Sequence, residues 1–207
     1  MTTKFSSKNR SILNGIIQRN TIASGLIFYG QPGAMIKYAG HYYALGINCM
    51  QFDEEPCHTC LSCQSITNGT SPDIIHVNED AIKIEAIRQL QEQVKYGPSQ
   101  SKYLVVIIHN SDRFTTQAAN AFLKTLEEPP EGVKFVLMTN KPLNLLTTIR
   151  SRCQSLFFPV VTTELLIDPS SLPIDLKRYF ADTETESDLT YITYDQLKQI
   201  SVLERFQ

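Results

Sequence analysis

The sequence of 207 residues lacks an excess of basic charge, because 19 lysines and arginines are set against 21 aspartates and glutamates, for a net charge of −2. Proteins that hold nucleic acid mainly by neutralising phosphates are usually basic, so this class is disfavoured. The sequence also lacks any run of about 18 apolar residues, the length that a membrane-spanning helix needs. The residues after Met1 lack the apolar core of a secretory signal. We therefore expect a soluble cytoplasmic protein with no membrane partner.

The composition gives no sign of disorder, since 42% of the residues are hydrophobic, which is close to ordinary globular usage. The length fits one large domain or two small ones. Five cysteines in a chain without a secretory signal are better explained as thiols or metal ligands than as a disulfide framework. Cys153 is distant from the other four in sequence and is expected to be an ordinary buried thiol.

Short apolar runs alternate with segments of helical periodicity up to about residue 160. The strongest strand is 103–108, where consecutive apolar residues, mostly β-branched, suit a strand that is buried on both faces of a parallel sheet. The other predicted strands are 26–29, 74–77 and 135–138, and the predicted helices between them are 33–48, 84–94 and 119–126. This alternation predicts a doubly wound α/β domain, a parallel sheet flanked by helices, over residues 1–160.

Two segments depart from this alternation. Residues 49–72 contain four cysteines together with acidic residues and turn formers, which predicts an inserted, irregular loop. Residues 161–207 are more polar and weakly periodic, with a charged stretch at 182–188 and a predicted final helix over 195–206. We expect this second part to be a short helical region.

The loop after the first predicted strand has the frame of a phosphate-binding loop without its ligands. Such a loop has the pattern G-x-x-x-x-G-K-[ST], in which backbone N–H groups surround the phosphates, the lysine neutralises charge and the hydroxyl holds Mg²⁺. Gly30, Pro32 and Gly33 keep the turn, but Met35 stands at the second glycine. Lys37 comes one position late and no serine or threonine follows it. We expect an ordinary βα turn that binds no ATP. A shifted loop that uses Lys37 is the alternative.

The strand that would carry the magnesium-binding acid lacks it as well. A Walker-B strand ends in aspartate, often followed by glutamate, whereas 103–108 is followed by His109 and Asn110. Asp112 lies too far along the chain and is expected to cap the next helix or to open its turn. The two losses together predict that this chain alone does not hydrolyse ATP.

The cysteines of the inserted loop have the spacing of metal ligands. Cys57, Cys60 and Cys63 follow one another at C-x-x-C spacing, and Cys49 lies upstream. Tetrahedral Zn²⁺ takes four such thiolates at about 2.3 Å and, with no open position, is structural rather than catalytic. We therefore predict a structural zinc site. A redox pair and incidental buried thiols are the alternatives, and His58 is a spare ligand.

Two further segments carry a family resemblance. The stretches 120–130 (NAFLKTLEEPP) and 145–153 (LLTTIRSRC) resemble bacterial clamp-loader subunits of DNA polymerase III. The segment 135–140 stands where that family has its sensor-1 strand, and the cysteine insertion is similar to the family's zinc module. The resemblance covers about residues 5–160 and implies an AAA+ fold. Within the family, delta-prime subunits keep the AAA+ frame and the zinc module but degrade the nucleotide motifs, as this chain does.

The resemblance implies a role in a ring of AAA+-type subunits. A delta-prime stator would work beside the motor (gamma/tau) and delta subunits, and would help to load the sliding clamp on primed DNA. Ser151, Arg152 and Cys153 would face the ATP that is bound to the neighbouring motor subunit, with Arg152 as an arginine finger. The alternative for Arg152 is a helix-end cation that meets a surface acid. That alternative suits Arg150 better.

Other features of the resemblance receive plainer interpretations. Glu127 and Glu128 are expected to be helix-end acids before the proline stop, and Thr139 is expected to satisfy a strand end. The collar domain of full-length family members is expected to be absent or severely reduced in 161–207. Two further hypotheses stay open, a divergent AAA+ ATPase that uses Lys37 and a stand-alone, zinc-stabilised adaptor.

Overall fold

A parallel sheet forms the centre of the computed structural model, which describes residues 7–19, 23–31, 35–159, 165–166 and 191–192. Its strands are β1 (Gly25–Gly30), β2 (Ile74–Val77), β3 (Leu104–Ile108), β4 (Val133–Thr139) and β5 (Gln154–Phe158). Their order is β2-β3-β4-β1-β5, and each neighbouring pair is parallel. The chain therefore crosses the sheet after β1 and again after β4, so the strand order reverses beside β1.

Helices carry these crossovers, because parallel strands cannot be joined by a hairpin. The helices are α1 (Ser7–Ile17), α2 (Ile36–Asn48), α3 (Leu61–Thr67), α4 (Ile84–Val94), α5 (Thr116–Glu127) and α6 (Thr147–Arg150). Short 3₁₀ turns lie at Ser111–Arg113 and Pro142–Asn144. Gly97 has the left-handed φ of 69° and its N–H donates to the carbonyl of Val94, which ends the α4 segment where the sequence pattern predicts.

Both faces of the sheet are covered because its central strands are apolar on both sides. Every residue of β3 is buried. Val105 and Ile107 pack with side chains of α1 and α2 on one face. Leu104, Val106 and Ile108 pack with side chains of α4 and α5 on the other. The predicted doubly wound α/β fold is confirmed. The apolar run 103–108 indicates it, because such a run is typical of a strand that is buried on both faces of a parallel sheet.

The sequence pattern misses several short elements, of which α3 and β5 are the longest. Within the cysteine segment, α3 places Cys63 and Ile66 against Leu45 of α2, so the prediction of an irregular loop is wrong for α3 and correct for residues 49–60. A helix of seven residues with two buried side chains is too short to show a clear period. The edge strand β5 buries only Leu156 and Phe158. It begins with the polar residues Gln154 and Ser155, so the sequence shows no apolar run there.

The chain divides into two compact units, Met1–Val160 and Val161–Gln207. In the second unit, β6 (Leu165–Leu166) pairs with β7 (Tyr191–Ile192) in antiparallel fashion. The predicted final helix over 195–206 and the charged stretch at 182–188 lie outside the described residues. The interpretation of 161–207 as a reduced lid without a collar stays a prediction. Within the part of the chain that is described, no helix combines the length and the apolar character that a membrane crossing demands.

Candidate functional site

The described residues that follow β1, β3 and β4 lie at the carboxyl edge of the sheet, beside the point where the strand order reverses. Open parallel sheets bind their ligands at this edge. Gly30 is buried as the last residue of β1, and Lys37 is exposed in the first turn of α2. Pro32 and Gly33 of the predicted turn lie outside the described residues. The edge is the place where a nucleotide would be expected.

The carboxylate within the loop after β3, that of Asp112, makes a structural contact. The hydroxyl of Thr139, at the end of β4, donates to Oδ1 of Asp112 at 2.6 Å and accepts the N–H of Lys141 at 2.9 Å. Asp112 lies in the 3₁₀ turn, whereas Thr115 caps α5 by accepting the N–H of Ala118. Of the two roles expected for Asp112, the turn is therefore found and the helix cap is wrong. Thr139 satisfies a strand end as predicted.

Histidine stands where a Walker-B strand has its acid. Nε2 of His109 lies 3.1 Å from Nδ1 of His76. Burial, with smaller contributions from His76 and Lys37, lowers the pKa of His109, so the ring is neutral at neutral pH. Asn110 follows with left-handed φ and ψ of 48° and 46°, a conformation that asparagine tolerates better than most residues. A neutral imidazole and an amide do not supply the negative charge that Mg²⁺ requires here.

Arg152, the arginine finger that the resemblance implies, lies two residues after the end of α6. Nη2 of Arg152 donates to Oε1 of Glu127 at 2.5 Å, and Nη1 donates to the carbonyl of Thr148 at 3.0 Å. Ser151 donates its hydroxyl to the same carbonyl at 3.0 Å. Within this chain, Arg152 therefore meets a surface acid and one helix carbonyl, as its alternative interpretation describes. Glu127 ends α5 as expected, but its contact with Arg152 has no signal in the local sequence.

The four cysteines of the inserted segment come together. The Sγ atoms of Cys49, Cys57, Cys60 and Cys63 all lie within 4.8 Å of one another. Four thiolates around one Zn²⁺ at about 2.3 Å stand about 3.8 Å apart, so the set fits a tetrahedral ion with little movement. Cys153 is buried in the core instead, and burial raises the pKa of its thiol to about 11.

Hydrogen bonds prepare part of this cluster for the thiolate form. The N–H of Cys57 donates to Sγ of Cys49, and the N–H of Cys60 donates to Sγ of Cys57, each at 3.3 Å. The Thr59 side chain and then the Cys60 N–H lower the pKa of Cys57 to about 5. Burial raises the pKa of Cys49 and Cys63, so a nearby cation would favour their thiolate forms. A metal supplies that charge.

Helix α1 holds the start of the cysteine segment in place. Arg10 forms an ion pair with Glu55. Asn14 and Gln18 donate side-chain N–H groups to the carbonyls of Glu54 and Asp53, at 2.5 and 2.9 Å. Arg10 and Asn14 lie on α1 and Gln18 directly follows it, each four residues from the next, so the three side chains share one helical face. The helix therefore braces a segment that has little core of its own.

Comparison with known proteins gives the family. A family model described as DNA polymerase III, delta subunit matches residues 6–162. The tau subunit of Bacillus subtilis is 32% identical over 171 residues, which are 82% of this chain and 30% of that protein. The delta′ subunit of the same organism is 33% identical over 159 residues, which are 76% of this chain and 48% of that protein. The chain thus spans under half of the length of these relatives.

A solved structure agrees with the fold. A gamma-subunit-related protein of DNA polymerase III from Thermotoga maritima aligns with a TM-score of 0.51 at 22% identity, over 95% of this chain and 54% of that one. At this identity the likeness concerns the fold alone. The match over residues 6–162, together with relatives above 30% identity, establishes that the chain belongs to the clamp-loader AAA+ family of DNA polymerase III subunits.

Proposed function

We propose that the chain is a non-catalytic, delta-prime (stator) subunit of a bacterial DNA polymerase III clamp loader. It would assist ATP-dependent loading of the sliding clamp on primed DNA in the cytoplasm, in company with motor (gamma/tau) and delta subunits. The observation that carries the proposal is the loop after β3, where His109 and Asn110 replace the acids and Asp112 is engaged by Thr139. Mg²⁺ with a triphosphate requires a carboxylate at this place. Without one, the chain itself hydrolyses no ATP.

The chemistry that the chain supplies under this proposal is the guanidinium of Arg152, with Ser151 beside it. A guanidinium is always charged and can donate to two phosphate oxygens, so it stabilises the charge that builds on the γ-phosphate of a neighbour's ATP. The side chain is 37% exposed and is accessible from solvent. Its contact with Glu127 is an exposed ion pair, which is worth about 1 kcal/mol or less. A neighbour's triphosphate therefore outcompetes Glu127 for it.

The cysteine cluster has a separate role in this proposal. Cys49, Cys57, Cys60 and Cys63 would hold one structural Zn²⁺, which leaves no open position for substrate. The ion would fix residues 49–63, which are otherwise anchored by α1 and by the small cluster around Leu45. A redox role would need only two of these cysteines, whereas a metal explains why all four are gathered.

A reconstituted complex tests the proposal. The chain is mixed with motor and delta subunits, and the DNA-stimulated ATPase rate is measured. We expect the chain to raise the rate and Arg152→Ala to remove that gain, since a finger supplied in trans is worth about 10³–10⁵ in kcat at the site it serves. Assembly, measured by size-exclusion chromatography, should be unchanged.

Arg150→Ala is the matched control, because it removes a cation two residues away. It should keep the ATPase gain. An Arg152→Ala complex that assembles and hydrolyses ATP at the unmodified rate would reject the finger. A chain that does not assemble at all would favour a stand-alone, zinc-stabilised adaptor.

A divergent ATPase is the second candidate, because tau relatives match the chain as well as the delta′ relative does. Lys37 would then bind phosphate from the first turn of α2. Hydrolysis is the weaker alternative, because His109 and Asn110 stand where a Walker-B strand has its acids. Nucleotide binding that Lys37→Ala abolishes would favour it.

A further inference from the structure

Both ends of the cysteine segment, residues 49–72, are fastened to the same stretch of backbone. Asn48, the last residue of α2, precedes the segment, and Asp73 follows it and leads into β2. Both side chains bond to the main chain of residues 99–103, which lead into β3 and which we call the entry segment. The cysteine segment and the entry segment are therefore joined at two points.

Asn48 pairs with the entry segment as a neighbouring strand would. Its Oδ1 accepts the N–H of Tyr103 at 2.8 Å, and its Nδ2 donates to the carbonyl of Tyr103 at 3.1 Å. The side-chain amide thus uses both an acceptor and a donor on one residue. Because Asn48 is only 3% exposed, loss of this pairing would leave buried polar groups without partners.

Asp73 holds the other end of the entry segment. Its Oδ1 accepts the N–H of Ser99 at 2.6 Å, and its Oδ2 accepts those of Gln100 and Ser101 at 2.8 and 2.6 Å. The carbonyl of Asp73 accepts the N–H of Val105 at 2.8 Å, so the same residue is also bonded to β3. Asp73 is 1% exposed, and a buried polar network in which each member is bonded holds one arrangement rigidly.

The anchor at Asn48 lies one residue from a candidate metal ligand. Cys49 directly follows Asn48, and its Sγ lies within 4.8 Å of the Sγ atoms of the other three cysteines. Those three stand within the cysteine segment, whose own core is the small cluster around Leu45. An ion bound by all four thiolates would therefore fix the segment to the end of α2, next to the side chain that holds Tyr103.

We propose that Asn48 and Asp73 are positioning residues of the metal site, which couple metal binding to the order of the entry segment. The inference rests on the structural Zn²⁺ proposed above, and it adds the residues through which that ion acts on the sheet. The ion holds the ends of the cysteine segment in the arrangement in which both side chains reach the entry segment. Because coupling between two sites is reciprocal, the bonded entry segment strengthens metal binding by the same factor by which the metal stabilises its bonds.

Hydrogen exchange of the full chain, measured by NMR with and without one equivalent of Zn²⁺, tests the first half of this proposal. The amides of the entry segment that donate to the two anchors report how often these bonds open; they are those of Ser99, Gln100, Ser101 and Tyr103. We expect Zn²⁺ to slow their exchange about 5- to 150-fold, the usual range of coupling between sites. The amide of Ala118, which donates to the side chain of Thr115 at the start of α5, is the control and should keep its rate.

Zn²⁺ affinity, measured by competition with a chromophoric chelator, tests the reciprocal half. Asn48→Ala should weaken Zn²⁺ by the factor by which Zn²⁺ slows exchange at Tyr103, and Asp73→Asn should weaken it as well. Ser111→Ala is the matched control, because it also removes a buried side-chain bond to a main-chain carbonyl, but one that lies beyond the carboxyl end of β3. It should keep the affinity, and thermal melting confirms that each variant is folded.

The proposal is overturned if Zn²⁺ binds while the four amides exchange at unchanged rates, or if folded Asn48→Ala and Asp73→Asn chains both retain the full affinity. A chain that binds no Zn²⁺ would refute the metal site and this inference with it. That outcome would leave the stator role standing, since the ATPase assay of the reconstituted complex tests it separately.

Discussion

The cysteine cluster and the carboxyl edge of the sheet stand on one scaffold, yet they differ in what their side chains can bind. In the cluster, all four candidate ligands are present and gathered within 4.8 Å. At the edge, the strands are in place, but His109 and Asn110 stand where a Walker-B strand has its acids, and Asp112 contacts Thr139. The difference shows that packing maintains the fold while a few side chains decide the chemistry.

The largest expected effect comes from removing one ligand of the cysteine cluster. Cys60→Ser should remove the metal and lower the free energy of unfolding by several kcal/mol, since structural Zn²⁺ supplies about 10–16 kcal/mol of binding free energy in zinc-finger peptides. Elemental analysis should find about one zinc per unmodified chain and much less in the variant. Calorimetric melting measures the loss of stability.

Cys153→Ala is the control for this experiment, because that thiol is buried in the core away from the cluster. It should keep the zinc. A metal-free unmodified chain that melts at the same temperature as the zinc-treated chain would show that the four cysteines are not a structural metal site.

The next effect concerns the amino end of the sheet, where the cysteine segment leads into β2. Asp73 is buried between the cysteine segment and β2, and it accepts the N–H groups of Ser99, Gln100 and Ser101. Burial alone would raise the pKa of Asp73, but these N–H groups lower it below its ordinary value of 3.8. The ionised Asp73 carboxylate therefore stabilises the folded state. This stabilisation is complete at pH values well above 3.8 and is lost as the pH falls through the lowered pKa of the folded state.

Asp73→Asn should cost about 1–3 kcal/mol at neutral pH and should flatten the loss of stability below about pH 4. Chemical denaturation at a series of pH values measures both effects. Asp80→Asn is a suitable control, because Asp80 is exposed beside Arg113. If Asp73→Asn leaves the loss of stability at acid pH unchanged, then other carboxylates cause that loss.

The smallest effect concerns the restraint on Arg152. Glu127→Gln removes the charge from an exposed ion pair, so the free energy of unfolding should change by less than about 1 kcal/mol. If Arg152 serves a neighbour, the ATPase gain of the reconstituted complex should be kept. Glu128→Gln removes the adjacent charge and serves as the comparison. A complex that loses its ATPase gain only in Glu127→Gln would mean that the ion pair positions Arg152 rather than competing for it.

Much of the fold could be predicted because its signals are local. The apolar run of β3 and the period of α4 and α5 are visible within a dozen residues, and C-x-x-C spacing brings Cys57, Cys60 and Cys63 together. The contact between His76 and His109 joins residues 33 positions apart, and that between Glu127 and Arg152 joins residues 25 apart. Such pairs depend on strand order and register, which no local pattern reports.

Titration of the isolated chain with Mg²⁺ and ATP by calorimetry tests the loss of nucleotide chemistry most directly. We predict no saturable heat, because the loop after β1 lacks its lysine and hydroxyl at the required positions and the loop after β3 lacks its acid. Saturable binding that disappears in Lys37→Ala would contradict the account and identify a working nucleotide site.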